Sequence, residues 1–163
     1  MLIPVLAFVL VQHAAAAPTC TGTQAVLPPP LAGWTEKRAL TAGAATAAAP
    51  AVPLGQAVRV ALSSNNSLSY AVQPSRPAPQ GSYGGLLSLR VSVTGRYRVA
   101  LGSGAWVDLV ASGKPLASRE HAHGPACSGV HKTVDFDLRP GDYALQIVGN
   151  AAPTIDVMVV RVP

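Results

Sequence analysis

Hydrophobic residues recur at every second position through most of the chain beyond Leu54. Val58, Val60 and Leu62 alternate with Arg59 and Ala61, and Leu87, Leu89, Val91 and Val93 alternate with Ser88, Arg90 and Ser92. Tyr97/Val99/Leu101, Val134/Phe136/Leu138, Tyr143/Leu145/Ile147 and Ile155/Val157/Val159 repeat the pattern. A period of two belongs to a strand with one face in a core and the other outside it, because successive side chains point to opposite faces. With turn residues closely spaced between the runs, the pattern predicts an all-β fold, an antiparallel β-sandwich or jelly roll over residues 54–163.

The turns read as tight hairpins. A three-residue loop Val93-Thr94-Gly95 sets Ser92 opposite Arg96, Val91 opposite Tyr97 and Arg90 opposite Arg98 without mixing core and outer faces. A similar loop at Gly102-Ser103-Gly104 sets Val99 opposite Val107, Tyr97 opposite Leu109 and Arg98 opposite Asp108. Pro140-Gly141 turns Arg139 back onto Asp142 and Leu138 onto Tyr143. On this register Arg90, Arg98 and Asp108 form one outward row. That row is either a candidate anion site or a solvated surface, since exposed charges contribute little to stability.

Before Leu54 the pattern is different. Leu2 to Val11 is an apolar run too short to span a bilayer, followed by Ala14-Ala15-Ala16-Ala17, the small residues a signal peptidase accepts. The expectation is a secretory signal over residues 1–16, cleaved after Ala16, leaving a periplasmic or secreted protein with no integral membrane segment. Residues 17–53 are rich in Pro and Ala and read as an extended strap with one amphipathic island, Trp34 to Arg38. Ala44 to Ala49 could form a short helix.

Composition sharpens this picture. Charged residues are only 12% and aromatics 5%, while Gly and Pro each number 15, so long helices are excluded. After signal removal about 145 residues remain, enough for one core. Lys and Arg total 12 against 7 acids, for a net charge of +5. In an exported chain that excess either suits an anionic partner such as an envelope polymer or lipid headgroups or serves solubility alone. No basic run interleaved with aromatics is present, which argues against nucleic acid.

Cys20 and Cys127, 127 − 20 = 107 positions apart, are expected to be bonded in an oxidising compartment. Closing a loop of that length is worth about 4 to 5 kcal/mol in the chain-entropy model.

The densest group of chemically able side chains runs from Glu120 to His131. In an extended segment His121 and His123 point to the same side, a spacing that suits iron, zinc or copper if Glu120 or His131 supplies a third ligand. The alternative is a polar loop beside the disulfide. Ser128 near His131 has no elbow motif, and Asp135 and Asp137, about 7 Å apart on one strand face, lack a hydrolase setting. Trp106 falls on an outer face, where it either stacks on a sugar ring or is covered by the N-terminal strap.

Four stretches carry a resemblance: Gly81 to Leu87, Gly95 to Trp106, His121 to Gly129 and Leu138 to Gln146. Together they resemble a family of small exported alphaproteobacterial proteins, some of which bear the name homogentisate 1,2-dioxygenase. That name implies a ferrous ion held by two His and one Glu, the types present at His121, His123 and Glu120. The Pro-Gly-x-Tyr-x-Leu hairpin is similar to those of secreted pre-peptidase β-sandwich domains, which implies a non-catalytic accessory role. The leading functional expectation is a binding module that contacts an anionic or carbohydrate envelope component through Arg90, Arg98, Asp108 and Trp106 and needs no cofactor. The alternative is a metal-dependent oxygenase at His121/His123.

Overall fold

The alternating runs become strands, and each apolar half-set turns into one buried layer. The computed structural model describes Cys20 and residues 25–163; the signal expected over residues 1–16 lies outside the described residues. Among the described residues the strands are β1 (Lys37–Thr41), β2 (Ala57–Ala61), β3 (Ser63–Ser64), β4 (Tyr83–Val91), β5 (Gly95–Leu101), β6 (Trp106–Ala111), β7 (Lys114–Pro115), β8 (Glu120–His123), β9 (Lys132–Leu138), β10 (Gly141–Asn150) and β11 (Thr154–Val162). They form two sheets, β1-β2-β11-β5-β9-β8 and β3-β4-β10-β6-β7. The result is a β-sandwich in which every pairing but β1 with β2 is antiparallel. Among the described residues no helix is long and apolar enough to cross a membrane.

Leu87, Leu89, Val91, Val107, Leu109, Leu145 and Ile147 from one sheet meet Val99, Leu101, Val134, Phe136, Val157 and Val159 from the other. Most of the expected inward positions are therefore buried; Val93, the last of its alternating run, is instead 50% exposed because β4 ends at Val91, and Leu62 and Tyr143 are partly buried. The expected hairpins are not observed. The turn after Val91 carries the chain from the second sheet to the first, the Gly102-Ser103-Gly104 turn carries it back, and the Pro140-Gly141 turn crosses again. Val91 is opposite Gly141, Arg90 opposite Asp142, and Arg98 opposite Asp135. A tight turn that crosses between sheets preserves the inner-face parity just as a hairpin does, so the face test could not separate the two geometries.

Two tyrosines brace these crossings. The Tyr97 hydroxyl donates to the Val93 carbonyl at 2.8 Å, and the Tyr143 hydroxyl donates to the Arg139 carbonyl at 2.7 Å. Each reaches back four residues over a Gly-x-Tyr step, the device of a tyrosine corner.

The segment before Leu54 belongs to the sandwich. Pro29–Trp34 forms a 3-10 turn that begins on prolines, whose fixed φ suits that position. It lays Leu31 and Trp34 on the outer face of the first sheet, against Ala57, Ala100, Val130 and Met158. Gly33 is required there, because a Cβ would lie 2.5 Å from the Gly55 carbonyl oxygen. β1 then adds to the sheet edge beside β2, and Thr46–Ala48 makes the expected short helical piece as one 3-10 turn. Residues 42–52 pass to β4, where Gly43 exchanges two hydrogen bonds of 2.9 Å with Leu86 and the Val52 amide donates to Ser88 at 2.9 Å. This lacing closes the gap between the sheets along the β1/β4 side. On the other side β8 edges one sheet and β6 and the two-residue β7 edge the other, and residues 116–119 cross between them, with Leu116 packed against the core.

Candidate functional site

The β6/β8 side of the sandwich holds a cleft of about 420 Å³. Val107, Val134 and Phe136 give it an apolar floor continuous with the core, and Arg76, Trp106, His121 and Lys132 stand around it. β7 pairs with β6 only at Val110 and Ala111, so the Trp106 to Asp108 stretch of β6 has a bare edge. That is why the cleft opens at this level.

Three elements build the polar rim. Trp106 and Asp108 project from the outer face of the second sheet, two residues apart on one strand. Asp108 is 5% exposed and accepts two hydrogen bonds, from the Trp106 indole at 3.0 Å and from the Ser75 amide at 3.0 Å. Next to it on β10, the Gln146 side chain, fully buried, accepts from the Val72 amide at 2.9 Å and donates to the Val72 carbonyl at 3.3 Å. These two buried polar groups therefore tie the Pro-rich loop of residues 71–80 across the outer face of the sheet. The loop delivers Arg76, whose guanidinium carbon lies 4.8 Å from the Trp106 ring centroid.

Lys132 arrives from the other sheet, at the start of β9. Its ammonium donates to the Ala105 carbonyl at 2.7 Å and lies 5.4 Å from the Trp106 ring centroid. Burial, and then the positive charge of Arg76, hold its pKa below the usual lysine value. Trp106 thus has two cations against one indole, an attractive contact with each. It is covered by Arg76 and Lys132 rather than by the N-terminal strap, whose own tryptophan, Trp34, fills the second core.

The remaining cations are mostly neutralised. Arg98, on the outer face of the first sheet, makes a two-pronged contact with Asp135 at 2.7 and 2.8 Å, and Asp135 is 2% exposed. That hydrogen bonding raises the guanidinium pKa further. Arg59 is held by Asp156, and Arg96 and Arg119 both reach Asp137. Arg90 faces Asp142 at 3.3 Å with both side chains largely in solvent. The expected row of Arg90, Arg98 and Asp108 is therefore corrected: Arg98 lies on one outer face of the sandwich, Arg90 and Asp108 on the opposite one. Arg76 and Lys132 form no ion pair among the described residues, as is also the case for Arg38, Lys114, Arg139 and Arg161.

The histidine segment is the edge strand β8, exposed throughout. His121 sits opposite Val134 and His123 opposite Lys132, so both face the cleft side as their spacing implies. Glu120 sits opposite Asp135, on the other face, beside Arg98. His131 does come round to His123, with ring centroids 5.9 Å apart and edge-on. Among the described residues no three His, Cys, Asp or Glu side chains gather in a set able to hold a metal.

Cys20 and Cys127 form a disulfide, with a Cα separation of 5.4 Å. Cys127 has φ of 61°, in the left-handed region that costs a non-glycine residue energy, within a loop also shaped by Gly129 at φ of 75° and by the Ser128 hydroxyl, which donates to the Pro125 carbonyl and accepts from the Val130 amide. Sequence reading missed Arg76 because it lies in Pro74-Ser75-Arg76-Pro77-Ala78-Pro79, a linker-like stretch. The available signal was Asp108 and Gln146 on the outward positions of apolar strands, two polar groups in need of a covering segment. No protein-family model matches the chain, and no curated protein matches it.

Proposed function

We propose that this protein is an exported, non-catalytic binding module that takes an acidic sugar unit of a cell-envelope polymer in the cleft between β6 and β8. One observation carries the reading: Arg76 and Lys132 converge on Trp106 without an ion pair, the carboxylate beside them, Asp108, being engaged by the Trp106 indole and the Ser75 amide, while Lys37, Arg59, Arg96, Arg98 and Arg119 on the face of the first sheet all reach a carboxylate. A carboxylate, sulfate or phosphate on a sugar would meet the planar fork of Arg76 and the point charge of Lys132 together. The apolar C–H face of the ring would lie on the floor formed by Val107, Val134 and Phe136, and Ser118 and His121 stand within the lining to meet hydroxyls. Asp108 favours the arrangement by fixing both Trp106 and the backbone of Ser75 before any ligand arrives, which reduces the ordering cost of binding. Export is supported by the Cys20–Cys127 disulfide, which persists in oxidising compartments.

The test is calorimetric titration with uronic-acid oligosaccharides and neutral oligosaccharides of equal length. The acidic ligand is expected to bind, with affinity falling as salt rises, and Arg76→Ala and Trp106→Ala each to weaken it at least about tenfold. Equal binding of the neutral series, or unchanged affinity in both variants, rejects this assignment.

A further inference from the structure

We propose that the end of the sandwich formed by the β4–β5 and β9–β10 turns is a docking surface for an anionic lipid bilayer, separate from the sugar cleft. The register brings this end together: Gly95 pairs with Leu138, Gly141 with Val91, and Val162 with Arg96. Lys132 opens β9 and Leu138 closes it, so the cleft lysine and this surface lie at opposite ends of one strand.

Four guanidinium groups collect here, Arg90, Arg96, Arg139 and Arg161, against the two carboxylates of Asp137 and Asp142. Asp137 is shared between Arg96 and Arg119, and Arg139 and Arg161 form no ion pair among the described residues. Two adjacent hollows of about 380 and 650 Å³ share Gly95, Arg96 and Pro163; Asp137 and Arg139 line the first and Arg161 the second. Arg96, common to both, is paired with Asp137, which also lines the first hollow, so Arg139 in one and Arg161 in the other are the guanidinium groups left without an ion pair to meet a phosphate-sized anion.

At the tip of the β4–β5 turn stands Val93, 50% exposed and one of three large hydrophobic side chains left exposed among the described residues. The turn is held from both sides: Tyr97 donates to the Val93 carbonyl at 2.8 Å, and Arg161 donates to the Thr94 carbonyl at 3.3 Å. A braced turn that exposes an apolar side chain beside a cluster of arginines matches the bilayer surface in two respects. The arginines meet headgroup phosphates, and Val93 enters the acyl boundary just beneath them. A soluble polyanion would use the arginines and leave Val93 without a role, which is why the bilayer is the assigned partner.

Flotation of the disulfide-bonded protein with vesicles tests the assignment, comparing neutral phosphatidylcholine with the same lipid containing about one third phosphatidylglycerol. The expected result is binding to the acidic vesicles alone, released at high salt. The Arg139→Ser/Arg161→Ser double variant should lower the partition coefficient at least about tenfold. Val93→Asp should weaken it independently, and Trp106→Ala, which disables the cleft, should leave it unchanged. Equal uptake by neutral vesicles, no uptake by acidic ones, or uptake untouched by both surface variants overturns the proposal. Loss on adding soluble glycerol phosphate together with an inert Val93→Asp would also overturn it, since the arginines would then serve a dissolved anion.

Discussion

Asp108 accepts the indole N–H of Trp106 at 3.0 Å while its second carboxylate oxygen accepts the amide of Ser75 at 3.0 Å. One buried carboxylate thus holds both the aromatic side chain of the cleft and the loop that carries Arg76. Hydrogen bonds to a charged group contribute about 1.5 to 3 kcal/mol each, and a buried donor left unpaired adds a desolvation penalty. Asp108→Asn keeps the shape but replaces one acceptor oxygen by a donor, which cannot face an N–H. The expected outcome is a loss of about 2 kcal/mol in denaturant unfolding, with a red shift of tryptophan emission and weaker acidic-sugar binding. Unchanged emission and stability would show that the pairing is dispensable.

Arg98 and Asp135 illustrate the opposite use of charge. Asp135 is 2% exposed on its side chain and Arg98 29%, and their two hydrogen bonds cross from β5 to β9. Removing the arginine strands a buried carboxylate, so Arg98→Ala should destabilise by about 3 kcal/mol. Replacing both groups by similar-sized apolar ones, Arg98→Met with Asp135→Leu, should recover most of that loss. The Arg90–Asp142 pair is exposed at 83% and 73%, and Arg90→Ala should change stability by no more than ~0.5 kcal/mol. A chemical-denaturation series across these variants reads all three expectations.

The disulfide and the second core should act together. Cys127 lies in the loop that also supplies Val130 to the Leu31/Trp34 cluster, and Trp34 is 1% exposed there. Cys20→Ser/Cys127→Ser should lower stability by up to about 4 to 5 kcal/mol. Trp34→Ala, which empties a buried indole site, should remove about 3 to 5 kcal/mol. Because both act on one loop, the combined variant should lose less than the sum of the two, as expected for coupled neighbours. Strict additivity would mean that the loop is held by something else.

What the chain discloses before folding is set by local physics. Period-two alternation marked the long strands from Ala57 to Val162 and chose most of the inner residues, since burial alternates wherever one face meets a core; Val93 failed because its run passes the end of β4 into the turn. It could not tell which sheet a strand joins. Gly95, Gly102 and Gly141 permit a hairpin and a crossing alike, and inner parity is the same for both, so Arg98 was matched with Asp108 instead of Asp135. His121 and His123 do share a face, as a strand requires, yet Glu120 turns away for the same reason. Cys20 and Cys127 were legible because two cysteines leave one pairing. Arg76 was hidden because its position depends on where a proline-rich loop is tied down, and the ties, Asp108 and Gln146, are 33 and 74 residues from their partners.

Tyr70 offers a pH signature for the same covering loop. Its hydroxyl donates to the Asn65 amide oxygen at 2.5 Å, with the Ile147 carbonyl oxygen a second, longer acceptor at 3.1 Å. Burial, reinforced by the charge of Asp108, pushes its pKa up to about 12 from an ordinary 10.0. The neutral phenol is the form the fold favours. Its stabilising contribution is complete below pH 10, where both folded and unfolded chains keep the proton, and is lost as pH rises toward 12 because the unfolded chain releases its proton first. Denaturant unfolding followed from pH 9 to 12 should therefore show stability falling across that window, and the fall should be reduced in Tyr70→Phe, which has no proton to release. An equal fall in the variant would assign the alkaline transition to other groups and remove Tyr70 as the group that senses it.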